Sequence, residues 1–293
     1  MELIKNPNLN FMGSRRIAYV ISIIVLAIGL ISLLVQGLNY GVDFAGGTLL
    51  QFKFNQEVTT EELRGVLEEL NLGKSTLQRL SPQEVIIRSS KLSQEEQNQV
   101  EKTLGEKFGE VTLVRVEDVG PAVGADLRRM AVIAVLVSLL GILLYVSIRF
   151  EFRPAAASII SLAHDAVVTL GILSLLQREF SAPVLAAILT ILGYSINDSI
   201  VIMDRIRENL RSRKKGETFE ELVNRSVNET LSRTINTVLT TILPVLALLI
   251  LGGEMLRDFS LTLLIGLITG TYSSVFVVGS LWVDWEKKKP SRR

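Results

Sequence analysis

Asp198 stands in the run LTILGYSINDSIVIMDRIREN, residues 189–209, where an apolar helix gives way to a charged one. Five uncharged residues, Ser199 to Met203, separate it from Asp204. Six helical residues rise about 9 Å, too far for a short carboxylate to snorkel to the interface. An acid in hydrocarbon costs about 2.5–3.5 kcal/mol, so Asp198 should face protein, water or a partner. An ionisable residue at such depth is a functional candidate by default. Tyr194, Ser195, Asn197 and Ser199 give it polar neighbours in sequence. Burial penalises the charged form of a carboxyl, which suits a group that loads a proton on one side and releases it on the other. The plainer alternative is a structural hydrogen bond between helices.

His164 and Asp165 form a second polar pair within an apolar stretch. Ten uncharged residues precede them after Arg153, and twelve follow before Arg178. Asp165 is about 18 Å along a helix from Arg153. Histidine shuttles protons near neutral pH, so the pair is either a relay or a lock between helices. Arg233 opens a further apolar stretch, either as an interfacial anchor or as a cation directed at Asp198. A nearby cation would hold the carboxylate ionised until a conformational change separated the two. Thr230, Thr234, Thr237 and Thr241 recur at i, i+4, i+7 and i+11, and Asn236 and Thr240 widen that stripe. Such residues also hold helices together.

These groups need membrane helices to position them. The chain has 293 residues, 48% of them hydrophobic, with a mean hydropathy of +0.39. Its charges fall in blocks, so the formal net charge of +1 says little about partners. The absence of cysteine excludes disulfides, thiol nucleophiles and thiolate metal sites, and the single histidine excludes a multi-histidine metal cluster. A span needs about 20 mostly apolar residues. Residues 17–35, 130–148, 154–176, 183–203, 234–252 and 259–283 qualify. The first is too long for a signal peptide and reads as a retained anchor. Pro244 should perturb the fifth span, and Gly266 and Gly270 should allow close packing of the sixth.

Lys and Arg near the span ends set the orientation. With the N-terminus cytoplasmic, Lys5, Arg15, Arg16, Arg149 and Arg153 lie inside. So do Arg205, Arg207, Arg211, Arg213, Lys214, Lys215, Arg225 and Arg233 around the basic loop 204–232, and Lys287, Lys288, Lys289, Arg292 and Arg293 in the tail. The short outside loops hold only Arg178 and Arg257. Arg128 and Arg129 run against the rule but end a long outside segment, and long segments largely escape it. The loop 204–232 is strongly basic and then amphipathic, and reads as a helix pair facing anionic lipid rather than as a specific ligand site.

Residues 36–127 make an outside domain. TLLQFKF (48–54) reads as a strand, and TTEELRGVLEELN (59–71) as a helix with an N-cap threonine. STLQRL (75–80) and EVIIRSS (84–90) flank the Ser81-Pro82 turn. SQEEQNQVEKTLGEKFG (93–109) reads as a helix, and VTLVRVEDV (111–119) alternates as a strand. The order βαββαβ is that of the ferredoxin-like split motif. The domain is either a spacer or a surface that meets something outside the membrane. The expected architecture is a polytopic α-helical membrane protein with an inserted α+β domain. Its divisions are 1–35 (N-terminus and first span), 36–127, 128–283 (spans two to six) and 284–293 (basic tail).

Two glycine-bearing segments flank that domain, YGVDFAGGTLLQF (40–52) and VGPAVGADLRRMA (119–131). Taken alone, each reads as a turn-rich linker. Together with GYSINDSIVIMDRIREN (193–209), the His164–Asp165 pair, LSRTINT (231–237) and the one-plus-five span layout, they resemble the SecD/SecF family of the bacterial Sec protein-export machinery, on the SecF side. The resemblance covers essentially the whole chain. It implies a motif of Gly41, Asp43, Gly46, Gly47, Gly120, Pro121 and Gly124. It also implies a proton path drawn from Asp198, Arg233, Asp165, His164, Asn197 and Thr237. The expected protein is a multi-pass subunit of the bacterial plasma membrane, not an enzyme and without cofactor. It would use proton flow with SecD to assist preproteins through SecYEG, among membrane lipids and without nucleic acid. Half of a small-molecule exporter of the same superfamily is the alternative, though such pumps carry larger outside domains. An intramembrane aspartyl protease would need GxGD where this chain has SIND and AHDA. A non-transporting scaffold would not need acids within its spans.

Overall fold

The computed structural model describes residues 8–287. Lys5, Lys288, Lys289, Arg292 and Arg293 lie outside them. In chain order the first elements are α1 (Arg15–Val35), β1 (Asn39–Tyr40), α2 (Val42–Ala45), β2 (Gly47–Phe54) and α3 (Thr60–Glu69). Next come β3 (Thr76–Ser81), β4 (Glu84–Ser89), α4 (Gln94–Phe108), β5 (Val111–Val119) and α5 (Pro121–Arg149). Then follow α6 (Phe152–Leu175), β6 (Glu179–Phe180), α7 (Ala182–Arg211) and α8 (Phe219–Leu251). The described chain closes with α9 (Gly253–Ser273), a π-helical turn (Ser274–Val278) and α10 (Gly279–Lys287). The contacts divide it into two units. One holds residues up to 39, 133–179 and 183 onward; the other holds 40–132 with 180–182.

The first unit is helical. Six stretches are long and apolar enough to cross a membrane: α1, α5, α6, α7, α8 and the run Leu256–Lys287. Each expected span falls within one of these or within a residue of its end. Among them α6 is the most buried, so His164 and Asp165 sit in the middle of the bundle. Its core joins Leu162 and Ala166 of α6 to Ile196, Ile202 and Met203 of α7, Val223 and Val227 of α8, and Val278 of the π turn. Glycine governs the closest approaches. A Cβ at Gly29 of α1 would lie 3.2 Å from the Gly171 Cα of α6. Gly266 of α9 faces Ile191 of α7, and a Cβ on Gly270 would lie 3.0 Å from the Ser195 Cβ. The GxxxG of the sixth span thus seats α9 on α7. Pro244 lies inside α8, which continues to Leu251.

The connection between the fourth and fifth spans, read from the sequence as a basic, lipid-facing helix pair over 204–232, is mostly helix. Only 212–218 separates α7 from α8. Thr218 and Glu221 form a capping box that starts α8. Much of the basic charge is paired: Arg205 with Glu208 and Glu229, and Arg225 with Glu217 and Glu229. The chain before α1 docks on α8. Asn228 Nδ2 donates to Leu9 O at 2.9 Å, Leu9 N donates to Asn228 Oδ1 at 2.9 Å, and Met12 N donates to Asn224 Oδ1 at 3.1 Å. Asn224 and Asn228 are one turn apart, so one helix face holds both ends of the segment, and Met12 is fully buried.

The second unit carries a four-stranded sheet in the spatial order β3-β4-β2-β5, with all neighbours antiparallel. Leu50, Phe52 and Phe54 of β2 alternate onto the face that α3 and α4 cover with Leu63, Val66, Leu67, Val100 and Leu104. Both helices begin in capping boxes, Thr59–Glu62 and Ser93–Glu96. Period-2 and period-3.6 patterns therefore specify the same core from the strand and helix sides. The segment 119–131, expected as a linker, is instead the start of α5. Pro121 is its first residue, where a missing N–H costs nothing.

Candidate functional site

Asp165 is fully buried on α6 and saturated with partners. Its Oδ2 accepts the Ser195 hydroxyl of α7 at 2.7 Å and the Ser273 hydroxyl of α9 at 2.7 Å. Its Oδ1 lies 3.0 Å from His164 Nδ1. One carboxyl group therefore binds three helices, and Gly270 leaves the room for it: a Cβ there would lie 3.7 Å from Oδ2. The π turn begins directly after Ser273. It places Ser274 so that its hydroxyl donates to the Ser195 carbonyl at 3.3 Å. Ser274 has then spent its proton, so Ser199 donates to it at 3.2 Å. His164 stacks on Tyr272 with ring centroids 6.2 Å apart. Its Nε2 is buried with no partner among the described residues.

Asp198 lies one turn further along α7 and is 3% exposed. Among the described residues no hydrogen bond reaches its carboxyl group. The charge that acts on it is Arg233, from α8. Tyr194 ties the same two helices together. Thr241 donates to Thr237 O at 2.9 Å, so the Tyr194 hydroxyl donates to Thr241 Oγ1 at 3.0 Å. The other stripe hydroxyls mostly turn back on their own helix. Thr237 donates to Arg233 O at 2.7 Å, Thr240 to Asn236 O at 3.0 Å, and Thr230 to Ser226 O at 3.1 Å. Such back-bonding satisfies the hydroxyl without help from a neighbouring helix.

The structure thus brings together Asp165, His164 and Ser195, whereas Asp198 is buried on α7 and Arg233 is exposed on α8, with no ion pair between them among the described residues. Asn197 stays apart: it is exposed, on the side of α7 away from the buried Asp198 face. Thr237 is half-buried and bonded within α8. Ser273 and Ser274 had no place in the sequence reading. Their signal was the Ser-Ser pair in TYSSVF, two adjacent small hydroxyls at membrane depth.

The glycine motif is a separate construction, within the second unit. Gly46 and Gly47 have φ of 75° and 134°, and Gly46 has ψ of 158°, a conformation essentially confined to glycine. A Cβ on Gly46 would lie 2.8 Å from Pro121 Cα, and one on Gly47 would strike the Ser89 carbonyl oxygen. From the other side, a Cβ on Gly124 would lie 2.9 Å from both Gly46 N and Phe44 O. The 41–47 loop therefore packs main chain to main chain on the first turns of α5. Gly41 N donates to Phe180 O at 2.9 Å, and the Asp43 carboxylate accepts from Ala182 N at 2.8 Å. Gly120 precedes Pro121 and starts the helix: Gly124 N donates to its carbonyl at 3.0 Å. Arg128, which ran against the charge rule, lies 5.7 Å from the centroid of the Tyr40 ring.

The family of the protein export membrane protein SecD/SecF, C-terminal, matches residues 99–288, and the SecD/SecF GG motif matches residues 31–58. A protein translocase subunit SecF from Desulfurispirillum indicum is 44% identical over 288 residues, which are 95% of this chain and 92% of the relative. The protein translocase subunit SecDF of Thermus thermophilus is 44% identical over 294 residues, covering 98% of this chain and 40% of that longer one. The crystal structure of SecDF, a translocon-associated membrane protein from the same genus and species, superposes with a TM-score of 0.90 at 45% identity over 97% of this chain and 39% of that one. A SecDF crystal structure in a super-membrane-facing form gives 0.73 over 98% of this chain and 40% of that one. From the apposed glycines to the buried acids and the full-length match, the chain belongs to the SecD/SecF family of protein-export membrane proteins, on the SecF side.

Proposed function

We propose that the chain couples proton movement through its helices to Sec-dependent protein export, with Asp198 as the proton-carrying group and Arg233 as its counter-charge. The auxiliary role in protein translocation comes with the family; the proton coupling is our reading. The observation that carries it is the condition of Asp198. It is buried and lacks a hydrogen bond among the described residues, while a guanidinium acts on it from the next helix. A carboxyl group that only locked helices would be bonded, as Asp165 is. We assign Asp165 and His164 to holding α6, α7 and α9 together. Movement of α8 against α7 changes the Asp198–Arg233 separation, and with it the preference of the carboxyl group for its proton.

The partners in this proposal are a SecD-type half, the SecYEG channel and the translocating preprotein. The fused SecDF relative, of which this chain matches 40%, supports the first. The inserted domain is read as ferredoxin-like, which its βαββαβ order and antiparallel β3-β4-β2-β5 sheet support. The protein is a multi-pass membrane protein, and both termini are assigned to the cytoplasm from the Lys and Arg distribution. No cysteine is present, so single cysteines test this cleanly. Ser90→Cys should react with an impermeant maleimide from outside, and Ser212→Cys should not.

The decisive experiment replaces Asp198 with Asn in cells. Release of a secreted protein is followed with and without a proton gradient. The expected result is loss of the gradient-dependent part. If that part persists in a variant that inserts and binds its partner half normally, the proposal is wrong.

A further inference from the structure

A groove of about 520 Å³ runs between α1 and α6, in the helical unit. Tyr19, Ile23, Leu26 and Leu30 of α1 face Ala163 and His164 of α6 across it. Its shape follows from where the helices touch. They meet main chain to main chain at Gly29 and Gly171, and beyond that point Ser32 and Ser174 hydroxyls lie 2.8 Å apart. Toward the start of α1 they separate. The groove is thus a wedge, closed at one end and open at the other.

Its wall offers almost nothing polar. The Tyr19 hydroxyl donates to Asp284 at 3.0 Å. Tyr272 donates to Ala18 O at 2.7 Å, so the Ser22 hydroxyl donates to Tyr272 at 3.2 Å. His164 Nδ1 faces Asp165, and its Nε2 is buried. Every polar atom on the wall is therefore either bonded inside the protein or shut away. What remains for an occupant is hydrocarbon.

The mouth differs. Arg15 is committed to Glu220 and Asp284. Arg16, one turn before Tyr19, is exposed and has no ion pair among the described residues. Eleven residues from Tyr19 to Leu30 rise about 16 Å, close to half of a hydrocarbon core of about 30 Å.

The geometry points to a site for one anionic phospholipid from the leaflet at which α1 begins, its acyl chain in the groove and its phosphate at Arg16. The length fits one leaflet. The closed end excludes a transmembrane helix, which must pass through the whole core and needs about 8–10 Å between axes. The free guanidinium supplies the phosphate contact that arginine makes well.

Native mass spectrometry of the full-length chain tests this. The protein is purified in mild detergent and incubated with phosphatidylglycerol or phosphatidylcholine. One phosphatidylglycerol should survive detergent removal. Ala163→Trp fills the groove from an exposed position and should cut retention about tenfold. Arg16→Gln should reduce phosphatidylglycerol retention to that of phosphatidylcholine. Leu144→Trp, equally bulky but on the exposed side of α5, should change nothing. Undiminished retention in Ala163→Trp overturns the proposal, as does equal loss in both tryptophan variants. Loss of a co-purifying partner half in Ala163→Trp with lipid retained also overturns it, because the groove is then a protein interface.

Discussion

Ser195 donates its hydroxyl to Asp165 at 2.7 Å and so fixes α7 to α6 one helical turn away from Asp198. Asp165 on α6 and Asp198 on α7 are thus linked through Ser195 but differently served: the first is bonded to two serines, and no hydrogen bond reaches the second among the described residues. Hydrogen bonds to a charged group contribute about 1.5–3 kcal/mol, and losing one partner leaves a buried acceptor short. Ser195→Ala should lower the unfolding midpoint in detergent, and Ser273→Ala should do the same. Because both serve the same oxygen, the double variant should lose an amount different from the sum. Gradient-dependent export should persist in both single variants; its complete loss would place Asp165 on the proton path.

Arg233 acts on Asp198 without a direct ion pair, so its charge matters more than its shape. Arg233→Gln should reduce gradient-dependent export to the level of Asp198→Asn. Arg233→Lys should retain a measurable part. The two neutral variants combined should be no worse than either alone, since they remove one function. Secretion assays in cells, with membrane insertion checked by protease protection, read all four.

Gly46, Gly47 and Gly124 form a main-chain contact that no side chain can enter. Gly46→Ala and Gly47→Ala should each cost on the order of 1–3 kcal/mol from backbone strain alone. Gly124→Ala has ordinary helical geometry and should be damaging only through its approach to Gly46 N and Phe44 O. Limited proteolysis of the inserted domain should detect all three. A larger residue at Gly105, where a Cβ would meet nothing within 4 Å, is the control.

Glu62 and Glu96 close the capping boxes of α3 and α4. Each is held below its ordinary value of 4.5, chiefly by the backbone N–H of Thr59 and of Ser93 respectively. Glu217, in the link before α8, is also held below that value, first by its bond to Arg225. A carboxyl group with a depressed native value binds its proton more readily in the unfolded chain. Its stabilisation is complete above about pH 4.5 and is lost as pH falls through the lower native value. Titration of the carboxyl carbons by NMR should show the depressed values. Thr59→Ala and Ser93→Ala keep the backbone N–H and remove only the hydroxyl bond, so the Glu62 and Glu96 titrations should move only part of the way back toward the ordinary range.

Asn224 and Asn228 hold the chain ahead of α1 through its main chain. Asn228→Ala removes two of those bonds, and hydrogen exchange at the Leu9 amide should quicken while the α9 amides stay protected. Equal quickening in α9 would mean that the clamp supports the whole bundle.

Much of this protein is local in its physics and was legible in the sequence. Six apolar runs of membrane length need no knowledge of their neighbours. In the inserted domain, strand 48–54 and helix 59–71 follow from periods of two and 3.6, and the structure has 47–54 and 60–69 there. Asp165, Asp198 and Arg233 could be singled out because charge in an apolar run is costly wherever the run packs. The tertiary structure decided what those groups meet. Asp165 could have met any of many hydroxyls; the close approach of α9 at Gly270 gave it Ser273. Segment 119–131 reads as linker by its glycines, yet from Pro121 it is helix, and its Gly124 is where the main chain of the 41–47 loop lies against that helix. The basic stretch 204–232 reads as a helix pair from the sequence, but only the fold decided that Arg205 would meet Glu229 and Arg225 would meet Glu217. Hydrophobic length and periodicity are written along the chain, whereas the choice of a polar partner is made only when helices are side by side.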